Sequence, residues 1–589
     1  MKFLKFIGSL LKMAFAVAIG IFVFIFMVLG LVWLFSPSEE KSIAAKSVLR
    51  LTFGKTIKER GTDNPLAEVG VGDESMGLVE LKANIRKAQK DKNIEGIFLN
   101  LSGVGAGFAT IEEIRNTLIE YKKSGKFLYA YSELLTEGGY YLASVSDKIY
   151  LNPRGMMELN GLSAQYTFYK GSMEKLEVKP EIFRVGEFKS AVEPFLLDKM
   201  SEANREQTAS FLNSIYNYVL KNIANARKIS VVELRRISDE FLVRKPEDAL
   251  KYKLVTHLAY YDEVEAEMKK KLGLKEKDKI NFVNHNEYEK VPATEKEKYS
   301  ENKIAVIIGE GDIQSGNSTD ESIGSETIAQ EIRRARLDKN IKAIVLRINS
   351  PGGSALASDV MWREVIEAKK VKPVIASMSD VAASGGYYMA MGCDAIVAQP
   401  TTITGSIGIF GMLFNAEGLY KNKLGMSSDR VSTGKFADIR SAILDRSLTE
   451  QEREMIQNWV NEGYEDFTAK AAKGRKMSHE DLKKVASGRV WSGVEAKERG
   501  LVDKLGSFED AIVLAAEKAK LKKGEYRLRY YPAQKTFVEK VTELLNAEAK
   551  AEKLLNEKLG ALYPALQILE KMKRQEVMQA RMGFEMEIR

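Results

Sequence analysis

A chain of 589 residues is too long for one ordinary hydrophobic core, so two or more domains are expected. Its net charge of +8 is a slight surplus of 89 basic over 81 acidic residues, and no basic block alternates with aromatics, which argues against a nucleic-acid partner. The single cysteine, Cys393, excludes an internal disulfide and a thiolate zinc site, and the three histidines, His257, His285 and His479, stand apart from every glycine-rich or serine-bearing motif.

At the N-terminus, Lys2, Lys5 and Lys12 precede an uncharged apolar run from Met13 to Phe35. At about 1.5 Å per residue, a helix of this length spans the ~30 Å hydrocarbon core of a bilayer. The exit, Trp33-Leu34-Phe35-Ser36-Pro37, lacks the small-x-small pattern of a cleaved signal, so residues 1–36 read as an uncleaved transmembrane anchor. The three leading lysines favour a cytoplasmic N-terminus with the body on the far side. Lys41, Lys46 and Arg50 follow soon after the span and keep that bias slight.

The rest of the chain is a tandem repeat. Residues 91–100, DKNIEGIFLN, return at 338–347 as DKNIKAIVLR, and residues 137–153, EGGYYLASVSDKIYLNP, return at 384–400 as SGGYYMAMGCDAIVAQP. Both pairs are 247 positions apart, and the second shares eight of seventeen residues. Leu254-Val255 and Leu501-Val502 close the two copies in the same register. Within each copy, short apolar runs such as Gly96–Leu101 and Ala343–Ile348 read as buried strands. Stretches of helical period, Thr110–Lys123 and Glu326–Arg336, lie between them. Alternating strands and helices predict α/β domains around largely parallel sheets. The expected layout is a first domain over 45–274, a solvated linker over 275–302 rich in Lys, Glu and Asn, and a second domain over 303–534. Leucines and valines at helical spacing predict a helical tail over 535–589 that packs on its own domain or a sister subunit, with a membrane-surface or partner-binding helix as the alternative.

Four segments carry the chemistry. Asn349-Ser350-Pro351-Gly352-Gly353-Ser354 follows a strand, where glycines let backbone N–H groups face a ligand, although such a run alone signals only a turn. Ala382-Ala383-Ser384-Gly385-Gly386-Tyr387 opens a short helix after another strand, a place that suits a nucleophile beside an oxyanion site and equally suits an N-cap serine. The third is Thr404-Gly405-Ser406-Ile407-Gly408-Ile409-Phe410-Gly411. The fourth, in the first copy, is Arg184-Val185-Gly186-Glu187-Phe188-Lys189-Ser190-Ala191-Val192-Glu193-Pro194-Phe195.

Aligning the copies places Glu137 opposite Ser384, Ala106 opposite Gly353, and, after one inserted residue, Ala437 opposite Lys189. Each copy keeps what the other lacks, which favours one composite site with Ser384 as nucleophile and Lys189 as base. Lys435, two residues before Ala437 and on the same copy as Ser384, stays open as a rival base. With no histidine nearby, a lysine base must be neutral, which burial in an apolar cleft achieves by penalising the charged form.

The motifs SGGYY, NSPGGS, TGSIGIFG and GEFKSAVEPF resemble those of the signal peptide peptidase A (protease IV) family in its long, two-domain Gram-negative form, over roughly residues 10 to 530. The resemblance implies tandem ClpP/crotonase-like domains and a Ser-Lys dyad of Ser384 and Lys189. It assigns Ser406 as the hydrogen-bond partner of the lysine and the backbone N–H groups of Gly353 and Gly385 as the oxyanion hole. It implies no metal or cofactor, and it suggests a homo-oligomer in the form of a ring-like tetramer. It further implies a single-pass protein of the inner membrane whose catalytic body, on the periplasmic side, cleaves remnant signal peptides. Two competing readings are an acyl-CoA-processing enzyme of the crotonase type and a non-catalytic membrane scaffold.

Overall fold

The computed structural model describes residues 43–61, 75–292, 299–439, 443–533 and 578–582. The expected anchor over 1–36 lies outside the described residues, and among these no helix is long and apolar enough to cross a membrane.

Each copy forms its own sheet, parallel throughout in the first and parallel in the second except where Ile403–Gly405 pairs antiparallel with Val490–Ser492. In the first the spatial order is His257–Leu258, Lys148–Met157, Phe127–Leu135, Ile94–Leu101, Ser47–Phe53 and Phe282–Asn284. In the second, Val374–Ala383, Ile341–Ser350, Lys303–Glu310 and Arg527–Tyr531 repeat that order, with Ala395–Ala398 and Ile403–Gly405 both paired to Val374–Ala383. Central strands such as Ile341–Ser350 are buried almost throughout, which is why they read as continuous apolar runs rather than alternating ones. The duplication extends to the caps. Ser201 caps the helix Glu202–Arg227 and Thr449 caps Glu450–Arg475, and each helix ends at a left-handed lysine, Lys228 or Lys476.

Two expectations are corrected. The stretch 275–302 contains Phe282–Asn284, the edge strand of the first sheet, and the helix His285–Glu289, whose Tyr288 is buried. The strand is only three residues long and half-buried, too short to show a period above its charged surroundings. In the tail, residues 578–581 form a strand, not a helix, docked between strands of the second copy. The remainder of the tail lies outside the described residues.

The copies interlock. Lys179–Arg184 of the first pairs antiparallel with Phe410–Asn415 of the second over six residue pairs, in a third sheet that also holds Gly352–Ser354 and Asp312–Gln314. In return, the helix Glu202–Arg227 lies against Val490–Ser492, where Gln207 Oε1 accepts from Val490 N at 3.1 Å and Ser214 meets Ser492 at 2.7 Å. Between the sheets Arg347 is fully buried. Its guanidinium donates to Glu59 at 2.8 Å and Glu113 at 2.9 Å of the first copy, and to Ser377 and Ser379 of its own. Glu113 also pairs with Lys82 and accepts from Phe508 N, which closes a charge network across the junction.

Buried charges are tolerable only while every partner is present, and removing one leaves the others unpaired in a poorly solvated site. Arg347→Ala is therefore expected to destabilise the protein by about 3–5 kcal/mol. A drop in the urea unfolding midpoint checks this, and an unchanged midpoint would contradict it.

Candidate active site

The strand pairing across the copies determines where the first copy's lysine goes. After Arg184 the chain stays against the second copy, with Val185 N donating to Ile409 O at 3.3 Å and Phe188 N to Ser487 O at 3.0 Å. Lys189 then enters a fully buried position, and its Nζ lies 2.8 Å from Ser384 Oγ, 3.1 Å from Ser406 O and 3.1 Å from Ser406 Oγ.

Ser384 stands where Val374–Ala383 turns into the short helix Gly385–Ala390, with φ 53° and ψ −110°. Such a conformation is strained for a residue with a Cβ, and it is held by Ser384 N donating to Gly405 O at 2.8 Å. The serine makes no side-chain cap, so the N-cap reading does not describe it. In the first copy Thr136, one residue before Glu137, does cap the equivalent helix through Gly139 N at 3.3 Å. Ser406 also has a positive φ, 49°, and its N–H donates to Arg489 O at 2.7 Å, which aims both its carbonyl and its hydroxyl at the lysine.

Burial pushes the Lys189 amine well below its ordinary value of 10.5, and no carboxylate among the described residues pairs with it to oppose the shift. A neutral amine has two N–H groups and one lone pair. Ser406 O can only accept, so it takes one N–H; with the other on Ser406 Oγ, the lone pair of a neutral amine is left for the Ser384 hydroxyl. The electrostatic arrangement is that of a base ready to take a serine proton.

Gly353 and Gly385 flank this centre. Gly353 pairs with Ile313 on one side, and a Cβ on it would stand 2.0 Å from Ile313 O. A Cβ on Gly385 would stand 2.6 Å from Ser358 Oγ. Lys435 is elsewhere, exposed, and donates to Gln451 at 2.6 Å. Lys189, Ser384 and Ser406 thus share one hydrogen-bonded cluster, with Gly385 adjacent in sequence.

Two residues that hold the lysine carry no signal a single sequence could show. Gln207 is fully buried and its Nε2 donates to Phe188 O at 3.2 Å and Ser190 Oγ at 3.0 Å, bracketing Lys189. Gly488 has φ +78°, and a Cβ there would stand 2.7 Å from both the N and the Cβ of Lys189. In the sequence its place looks like an ordinary turn until the first copy's loop is laid over it.

Gly488→Ala is expected to lower kcat about 100-fold by displacing the lysine, with the circular-dichroism spectrum retained. Titration gives a second expectation. Below 10.5 the unfolded lysine takes up a proton that the folded one refuses, so folding stability falls by about 1.4 kcal/mol for each pH unit lowered until the folded pKa is reached. Lys189→Met removes this penalty. Its urea midpoint should exceed that of the wild type at pH 7 and approach it near pH 10.5, and a constant difference across that range would refute buried neutrality.

Comparison with known proteins bears on the same residues. The profile of Peptidase family S49 matches twice, over residues 120–275 and 366–522, once in each copy. Protease 4 of Salmonella typhi is 39% identical over 500 residues, covering 83% of this chain and 79% of that one. The chloroplastic serine protease SPPA of Arabidopsis thaliana is 36% identical over 453 residues, covering 76% of this chain and 66% of that one. Among solved structures, a mutant ClpP1 from Listeria monocytogenes is 16% identical with a TM-score of 0.24, covering 35% of this chain and 94% of that one. A tandem match that takes in Ser384 and Lys189, and a relative aligned over most of both lengths, lead to one conclusion: the chain belongs to peptidase family S49 and is a serine peptidase with two copies of the family's domain.

Proposed function

We propose that this chain is a membrane-anchored endopeptidase that uses Ser384 as nucleophile and Lys189 as general base to degrade signal peptides left after secretion. The observation that carries the reading is the 2.8 Å approach of a fully buried lysine, whose charged form burial disfavours, to a serine on a strained turn beside a glycine N–H. Lys189 takes the Ser384 proton as Oγ attacks the scissile carbonyl, then delivers it to the leaving amine. Gly353 and Gly385 N–H groups stabilise the tetrahedral oxyanion, and a water deprotonated by Lys189 releases the acyl group. Ser406 keeps the amine oriented through both steps.

The substrate class is supported by relatives such as the putative signal peptide peptidase SppA of Enterococcus faecium, 34% identical over 225 residues. The apolar run Met13–Phe35 with its leading lysines supports an anchor in the cytoplasmic membrane and a periplasmic body. The ClpP/crotonase type of fold belongs to the same reading, as does a ring of subunits. In favour of self-association, the second copy's counterpart of the strand Lys179–Arg184 has no strand partner among the described residues. Its Val431, opposite Phe183 of the first copy, is 98% exposed, with Leu424 and Met426 exposed nearby.

A serine-reactive acylating probe and a peptide reporter test the chemistry. Ser384→Ala is expected to abolish labelling, and Ser384→Ala and Lys189→Ala each to lower peptide hydrolysis by about 10⁴-fold or more, whereas Lys435→Ala keeps most of it. Loss of activity in Lys435→Ala alone, or hydrolysis of an acyl-CoA but not of peptides, would overturn the proposal.

A further inference from the structure

The segments that deliver Lys189 also build a cavity. Between the copies lies a space of about 680 Å³, walled by Met173, Val178, Pro180, Phe195 and Leu196 of the first copy and by Asn415 of the second. The five apolar side chains are only half-buried, so apolar surface faces the space. Its size is that of a site for a small ligand or a short stretch of peptide. The wall is formed in advance of any occupant. The Phe195 ring stands between those of Tyr169 and Phe414, at centroid distances of 5.8 and 5.7 Å. Glu177, also on the cavity, accepts from Asn422 at 2.6 Å and pairs with Lys423 at 3.1 Å, which ties the copies together there. Lys170, Glu174, Glu417 and Lys421 line it with both signs of charge, so net charge does not select what enters.

The cavity and the dyad share their framework. Lys179–Arg184 begins at the cavity and ends five residues before Lys189, and Phe195 comes six residues after it. Phe410–Asn415 begins four residues after Ser406 and ends at the cavity. At about 3.3 Å per residue that strand covers ~17 Å. An extended peptide that follows it from Ser384 therefore enters the cavity about six residues from the scissile bond. The apolar run of a secretion signal is about 7–15 residues long, more than this reach, so a cut within or beside the run leaves apolar residues at the cavity.

We propose that the cavity is an exosite that holds the apolar run of a signal-peptide substrate while a bond about six residues away is cut at Ser384. The inference rests on the signal-peptide reading of the substrate. Burial of the run against Met173, Val178 and Phe195 raises kcat/KM for long apolar peptides, and a short peptide that ends before the cavity gains nothing from it. Selection for apolar peptides is thus made at a distance from the dyad, and the cleft itself need not be selective along its whole length.

The test uses reporter peptides that share one scissile core. One is the core alone, and the others carry a leucine run on its amino or its carboxyl side, joined through a polar spacer of about five residues. The readout is the ratio of kcat/KM for an extended peptide to that for the core in the same protein, which cancels the folded fraction. Wild type is expected to give a ratio of about 10 or more for one of the extended peptides. Met173→Glu and Val178→Asn should bring that ratio down to about 1, and Met173→Leu should keep it. A wild-type ratio near unity for both extended peptides, or a high ratio that persists in both polar variants, would overturn the exosite and leave the peptidase reading intact. A wild-type ratio near unity together with a lower oligomer mass in Met173→Glu would instead assign the cavity to contact between copies of the chain. Failure of the wild type to hydrolyse any of the peptides would overturn both readings.

Discussion

The antiparallel pairing of Lys179–Arg184 with Phe410–Asn415 is the constraint on which the rest of the site depends. It joins a strand of one copy to a strand of the other through backbone hydrogen bonds, which fix register to within a residue. Lys189 follows shortly after the pairing ends, so the reach of its side chain is decided before any side-chain contact forms. Phe188 N on Ser487 O, Gln207 across the loop and Gly488 beneath it then remove the remaining freedom. A slip of one residue would point the lysine away from Ser384 altogether.

The same interlocking supplies the electrostatics. A lysine is neutral near physiological pH only when water is kept from it and no anion offsets the loss. Residues of both copies enclose Lys189, and the anions of the junction, Glu59 and Glu113, are committed to Arg347 and Lys82 in a separate cluster. Cationic charge is thus compensated where it holds the copies together and left uncompensated where a free amine is wanted. The two copies together provide both environments, with Lys189 from the first copy and Ser384 from the second meeting at 2.8 Å.

The strained backbones at Ser384 and Ser406 belong to this logic. Each has a positive φ that its own residue type does not favour, and each is held by a hydrogen bond from its own N–H, to Gly405 O and to Arg489 O respectively. The conformations persist because the surrounding sheet over-determines them. The third sheet, built from both copies and the tail, has edges where an extended peptide can add, and the chain's own residues 578–581 occupy that place.

Much of this was legible in the amino-acid sequence. The 247-residue repeat, the alternation of apolar runs with helical stretches, and the mismatch of Glu137 with Ser384 and of Ala437 with Lys189 are properties of the chain read against itself. They determined two α/β copies, a serine at a strand-to-helix turn and a lysine in the other copy, because strand burial and local turn chemistry depend on near neighbours. Only the tertiary structure decided which lysine meets the serine, since the distance between residues 195 positions apart depends on cross-copy pairing that no local pattern encodes. It likewise decided that part of the expected linker completes the first sheet, that Gln207 and Gly488 brace the lysine, and that residues 578–581 form a strand. A three- or four-residue strand takes its conformation from the edge it pairs with, and a bracing residue takes its role from what is laid against it.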